Sequence, residues 1–363
     1  MSLLALGTVG LAASPASADT RTDFWVFCNF NGVSATIDPI EDPGSTMTEY
    51  FDDFFGNTTV NQNSTPSTLR SVGVSGDSNP YTSCTTATDT AAYWFPRLLL
   101  GPGESQTYGP SGYPCFADPN SAYSNYTICH GASIRAYYDG DQSNPSLIYS
   151  TTPFGSEEVG GAPDATGPPA NLQEISFACG GSTPDEPYPY DCSPYIDLPG
   201  DQNGVVVRVD MPRCWNGQDQ SVYTNYKYPT GTGQYDTNCP SGYHLLPMVN
   251  PRLHTGIVDP CAGLSYDGQC TLANEQNCLN TPGCTPYAPN FNFERSRGSI
   301  LPWYDAHADF MNGWQYGDHN AADGGTDTLG GLDDLEEDCL LGMSTVTCSP
   351  NPHTGPNSDN MPT

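Results

Sequence analysis

Cations are the scarcest component of this chain. Ten lysines and arginines face 41 aspartates and glutamates over 363 residues, and Lys227 is the sole lysine. A formal charge of -31 excludes binding of nucleic acid through its phosphates, which needs clustered cations to displace counterions. Anionic membrane surfaces are disfavoured for the same reason. Long apolar runs are missing too. Past the first residues nothing approaches the roughly eighteen apolar residues that span a bilayer, so no transmembrane segment is expected. The GxSxG elbow, the HExxH helix and the phosphate-cradling glycine loop are all absent, which removes the local signatures of several enzyme classes. Helical periodicity is nearly absent before residue 329, and no internal repeat or Pro/Ser/Thr-rich linker divides the chain. The acidity fits the surface of a soluble exported protein, or a saline habitat in which self-repulsion is screened.

What is present points outward. Residues 1–18, MSLLALGTVGLAASPASA, read as a secretory signal peptide ending in a small-residue cleavage site before Asp19, although a positive n-region is missing. Fourteen cysteines in an exported chain argue for disulfides. Cys115 and Cys129 bracket a Tyr-rich loop and are expected to pair. Cys261, Cys270, Cys278 and Cys284 are expected to close on themselves, because they lack the paired CxxC spacing of zinc sites. Sequons at Asn57, Asn63 and Asn125 suit a glycoprotein surface.

Strand patterns dominate the order of the chain. Residues 23–30, DFWVFCNF, carry apolar groups on both faces, followed by a loop over 32–44. Residues 91–100, AAYWFPRLLL, form a strand that Pro96 places at an edge or breaks with a bulge. Residues 133–138, 172–179 and 204–211 read as further strands, and LGGLDDLEEDCLL at 329–341 as the one late helix. The fold class is therefore mainly β: a single compact antiparallel domain over 19–348, sandwich-like, with long disulfide-pinned loops. Residues 153–170 are the best candidate break. Residues 255–300 look like a disulfide-closed insertion, and 349–363 like a disordered tail.

Several motifs then fall in a recognisable order. FWVFCNF at 24–30, DPI at 38–40, DFFGNTTVNQNSTPSTLR at 53–70, AAYW at 91–94, CWNG at 214–217, CP before Ser241 and HADFMNGW at 307–314 together resemble a secreted fungal and bacterial family. That family is domain of unknown function nineteen-ninety-six. The resemblance implies export, one compact domain and frequent company with carbohydrate-binding modules; it carries no established activity. Relatives usually place histidines ahead of DFFGN, where this chain has Tyr50 and Asp52. They place two more in a DHxSHMAYP-like motif, where SVYTNYKYP puts Val222 and Asn225. Only the third histidine motif survives, as His307-Ala308-Asp309, followed by Gln315 where Asp is common.

The stretch 303–314, WYDAHADFMNGW, is the densest polar and aromatic segment, and it is either a site or the polar knot of a core. On a strand His307 and Asp309 share a face. A carboxylate near an imidazole raises its pKa and suits it to acid–base work. Asp52 and Asp53, being adjacent, face opposite ways, so Asp52 joins a pocket in place of a family histidine while Asp53 serves structure. The candidate catalytic set is His307, Asp309 and Asp52. The candidate binding set is Trp303, Tyr304 and Trp314, because aromatic platforms stack on sugar rings, with Tyr50 and His244 added by the resemblance: Tyr50 stands at a family histidine position and His244 follows CPSGY, where the family often has one. No cofactor is required by the sequence, though Asp52, Asp309 and His307 are also a conceivable cradle for a divalent cation. Three readings stay open: a secreted binder of polysaccharide or cell-wall material, a glycan hydrolase or lyase, and an adhesive acidic surface protein.

Overall fold

The computed structural model of the chain describes residues 23–71, 80–86, 89–100, 115–116, 127–131, 133–139, 155–163, 165, 174–180, 185–195, 204–231, 236–258, 291–295 and 299–314. In chain order the strands are β1 (Asp23–Ala35), β2 (Asp52–Gly56), β3 (Ala92–Pro96), β4 (Leu98–Leu100), β5 (Cys115–Phe116) and β6 (Thr127–Cys129). Next come β7 (Ser133–Asp139), β8 (Glu157–Gly161), β9 (Ile175–Cys179), β10 (Val205–Val209), β11 (Cys214–Trp215) and β12 (Tyr226–Lys227). The last are β13 (His244–Leu245), β14 (Met248–His254), β15 (Phe291–Arg295), β16 (Ser299–Pro302) and β17 (His307–Met311). Among the described residues the one α-helix is short, α1 (Pro66–Arg70), and is opened by a reciprocal Thr65–Thr68 capping box.

Nine strands form one antiparallel sheet in the order β8-β17-β3-β2-β1-β7-β14-β10-β9. The sheet curls until it is nearly a closed barrel. Its ends meet where Gly160 of β8 lies against the segment just after β10: a Cβ there would sit 2.8 Å from the Asp210 carbonyl oxygen and 2.6 Å from Met211 Sδ. Tyr228 seals the seam, its hydroxyl donating to Asp210 O at 2.7 Å and accepting from Gly161 N–H at 2.8 Å. A five-stranded sheet (β16-β15-β4-β6-β5) and a three-stranded one (β12-β11-β13) complete the architecture. The expected mainly β, antiparallel, disulfide-bearing domain is what the structure shows.

Strands β2, β3 and β17 are buried on both faces. Period-two alternation sends Phe55, Tyr93, Phe95, Ala308 and Phe310 into the main core. The other parity sends Phe54, Ala92, Trp94 and Met311 into a second cluster under Ile37, Ile40, Val60 and Leu69. At roughly 25 cal/mol per Å² of apolar area, these aromatic-rich faces supply much of the driving force for folding.

Several expectations need adjusting. Pro96 does not mark an edge strand: β3 runs between β2 and β17, and the chain breaks only at Arg97, before β4 crosses to the five-stranded sheet. The expected loop over 32–44 begins later, since β1 continues to Ala35. The end of the expected insertion is integral, because β15 pairs with β4 and buries Phe291 and Phe293 in the main core. The Asn57 sequon does not lie on the expected exposed surface: Asn57 is fully buried, and its Nδ2 donates to Leu69 O (3.3 Å) and Thr90 O (3.0 Å). Asn63 is exposed. Disulfides join Cys28–Cys84, Cys179–Cys192 and Cys214–Cys239. Cys129 is also disulfide-bonded and lies opposite Cys115 in the β5–β6 register. The signal peptide, the four-cysteine cluster, Asn125, the late helix and the tail lie outside the described residues.

Candidate functional site

Strand β17 divides the WYDAHADFMNGW stretch between two environments. Ala308 and Phe310 point into the main core, while His307, Asp309 and Met311 point to the opposite face. Cross-strand register carries that second face outward: Asp309 pairs with Trp94, Trp94 with Phe54, and Asp52 with Pro96. Asp52 and Asp309 therefore share a face. The approach of β8 to β17 here needs glycine, since Gly161 (φ 93°) would place a Cβ 2.7 Å from His307 Cα.

Three separated segments meet over this face. Tyr50 brings its ring 4.2 Å, edge-on, from that of His307. Tyr223, half-buried between Val222 and Asn225, packs against the second apolar cluster and feels the charges of Glu41, Asp38 and Asp309. The loop after β1 supplies Asp38 and Glu41. Asp38 Oδ1 accepts the backbone N–H groups of Ile40 (2.9 Å) and Glu41 (3.0 Å), an Asx turn that holds its carboxylate in place. The positions at which this chain departs from the histidine pattern it resembles, Tyr50, Asp52, Val222 and Asn225, thus lie on the segments that gather around the retained His307.

The electrostatics are unusual for a face so well buried. Asp309 is 0% exposed and neither carboxylate oxygen has a hydrogen-bond partner; Asp52, 1% exposed, leaves Oδ1 in the same state. Burial pushes both carboxyls far above the usual carboxylate range, reinforced for Asp309 by Asp38, Glu41 and Asp52. Asp38 is raised for the same first reason. Oxygens of Asp38, Glu41 and Asp309 all lie within 4.8 Å of one another. At an effective dielectric of about 20, the two buried carboxylates Asp38 and Asp309, if both charged, would repel by roughly 3.5 kcal/mol.

His307 behaves opposite to expectation. Its Nδ1 lies 3.3 Å from the Asp305 carbonyl oxygen, which can only accept, so Nδ1 carries the proton. Burial pushes its pKa down to about 4. Asp309 does not reverse this: two residues along a strand is about 6.6 Å of rise, the pair is not hydrogen-bonded, and desolvation wins. His307 is a neutral imidazole at neutral pH.

The aromatic candidates divide. Trp314 is 0% exposed, its ring 4.8 Å from that of Tyr138 in the main core, and has no surface to offer a sugar. Trp303 is 4% exposed against Phe177 at 5.5 Å. Both are core residues rather than platforms. Tyr304 is half-buried on Trp303. His244 is exposed in the three-stranded sheet beside Gly217. Asp53 faces away, accepting from Ser34 Oγ (2.6 Å), His130 Nδ1 (2.9 Å) and Gly131 N–H (3.3 Å), a structural role that ties β1 and the segment after β6 to β2. Asp38, Glu41 and Tyr223 are not among the residues the sequence singles out. The acidic DPIED turn at 38–42 is the available signal, and its DPI counts in the sequence only towards the family resemblance.

Among the described residues no helix is long and apolar enough to cross a membrane. No curated protein and no solved structure matches the chain. The family described as Domain of unknown function (DUF1996) matches residues 38–314, a span that contains all three converging segments, and the chain belongs to that family.

Proposed function

We propose that this is an exported module that binds extracellular polysaccharide or cell-wall material at the rim of the acidic face, without using that face as an acid–base catalytic centre. The observation that carries the reading is that exposed Glu41 lies near enough to half-buried Tyr223 to act on it electrostatically, beside the buried carboxylates. An aromatic face packs on the C–H side of a sugar ring while a carboxylate accepts from its hydroxyls, so the two together suit a neutral glycan. The disulfides and the leader-like first residues support export. Hydrolysis or lysis by His307, Asp309 and Asp52 acting together would need hydrogen-bond reach among them. Asp309 bonds to neither partner, and His307 turns Nδ1 to the Asp305 carbonyl and its ring against Tyr50.

The test is retention of the purified chain on a panel of insoluble polysaccharides and cell-wall preparations, with Tyr223→Ala alongside. Wild-type retention on at least one matrix, lost in the variant, is expected. No retention on any matrix, or retention indifferent to Tyr223, overturns the reading.

A further inference from the structure

We propose that Asp38, Glu41 and Asp309 form a binding site for a hard divalent cation of the calcium or magnesium class, at the mouth of the acidic face. One oxygen from each residue lies within 4.8 Å of the others. That is the span available to ligands of a common ion, since two oxygens at about 2.4 Å from calcium are at most about 4.8 Å apart. Close acidic groups alone would mean little in a chain this acidic. Asp309 is what singles this cluster out. It is 0% exposed, aims into the cluster, and neither of its oxygens has a hydrogen-bond partner. Native proteins seldom leave both oxygens of a fully buried carboxylate unsatisfied, and ligation of a cation by Asp309 is a specific reason for it.

The surrounding groups fit the same ion. The Asp38 carboxylate is oriented by the Ile40 and Glu41 amides, both through Oδ1, which is the outer support expected of a ligand. Asp52, buried with Oδ1 unpartnered, lies on the same face and acts electrostatically on Asp309. Glu41 is exposed, so the ion has a path from solvent and keeps open positions for water. The donor set contains only oxygen. His307, the nearest imidazole on this face, is committed to the Asp305 carbonyl and packed on Tyr50. A site of this composition selects hard cations over zinc or copper, which favour nitrogen and sulfur donors. It therefore differs from the cradle of Asp52, Asp309 and His307 that the sequence makes conceivable.

The experiment uses the full chain, stripped with chelator and titrated calorimetrically with Ca²⁺ alone, Mg²⁺ alone and Zn²⁺ alone, with thermal melts in parallel. Saturable binding of about one Ca²⁺ per chain is expected, with a dissociation constant at or below the order of 10⁻³ M typical of weak extracellular sites. A rise in melting temperature should accompany it. Asp309→Asn should abolish the heat. Glu41→Gln, at an exposed position that tolerates substitution, should weaken binding at least about tenfold, and decides the matter if Asp309→Asn does not fold by circular dichroism. His307→Gln should leave Ca²⁺ binding in place. No saturable heat with Ca²⁺ or Mg²⁺, binding undiminished by Glu41→Gln, or Zn²⁺ binding lost in His307→Gln each overturns the proposal. Glycan binding is read separately: retention on polysaccharide in chelator, together with no calcium heat, would remove the cation site and leave the binding module.

Discussion

Asp89 offers the sharpest test of how the core beneath the site is held. It is 0% exposed, accepts the Ala91 N–H at 3.0 Å through Oδ1 and the Tyr93 hydroxyl at 3.0 Å through Oδ2. Tyr93 is hydrogen-bonded in turn to Tyr138, which packs on Trp314. Burial, only partly offset by these bonds and by Trp314, lifts the Asp89 pKa from 3.8 to about 7. That displacement corresponds to about 4 kcal/mol between folded and unfolded states. The folded form binds the proton more tightly, so the contribution is fully present below about pH 4. It is lost as pH rises towards 7, because unfolding then releases a proton. Asp89→Asn keeps the Ala91 acceptor and removes the charge. It mismatches Tyr93 at a pH-independent cost of about 1 kcal/mol. Urea denaturation of both proteins from pH 4 to 8, at constant ionic strength, should therefore show the stability of the variant relative to wild type rising by about 4 kcal/mol across that range. Other raised groups such as Glu157 shape both curves alike and largely cancel in the difference. A difference that stays flat with pH would refute the reasoning.

Two further outcomes follow from burial. His307 should titrate near pH 4 by nuclear magnetic resonance, silent between pH 5 and 8; a midpoint near the ordinary value of 6.5 would mean that Asp309 or solvent reaches the ring. In a glycosylating host, glycopeptide mapping should find Asn57 unmodified while Asn63 is available, and a glycan on Asn57 of the folded protein would contradict its two buried Nδ2 bonds.

The alternation of side chains on strands made much of this legible beforehand. GVVVRVDM became β10 and the run from Ser133 became β7, because valine and aromatic runs bounded by turns leave few alternatives. The same period-two rule correctly separated Asp52 from Asp53 and joined His307 to Asp309. What it cannot supply is distance between segments far apart in the chain. Asp38 and Glu41 reach Asp309 only because β1, β2, β3 and β17 are neighbours in the sheet, and Tyr223 arrives on the opposite flank, where its segment packs beside β8. Burial was the other blind spot. Trp303 and Trp314 have the composition of a sugar platform, yet the near-closure of the sheet puts them inside it. That burial also reverses the direction of the His307 shift, because desolvation outweighs a carboxylate that the strand keeps a residue pair away. The stretch 303–314 is thus both things its composition allowed: a core knot on one face of β17 and the floor of a candidate site on the other.

The central claim is that one face, gathered from three segments, receives the ligand. Hydrogen–deuterium exchange, with and without a soluble fragment of a retaining polysaccharide, tests it most directly. Protection concentrated in residues 38–52, 221–228 and 303–311 is the predicted result. Protection confined to the three-stranded sheet around His244, with the acidic face unchanged, would contradict it.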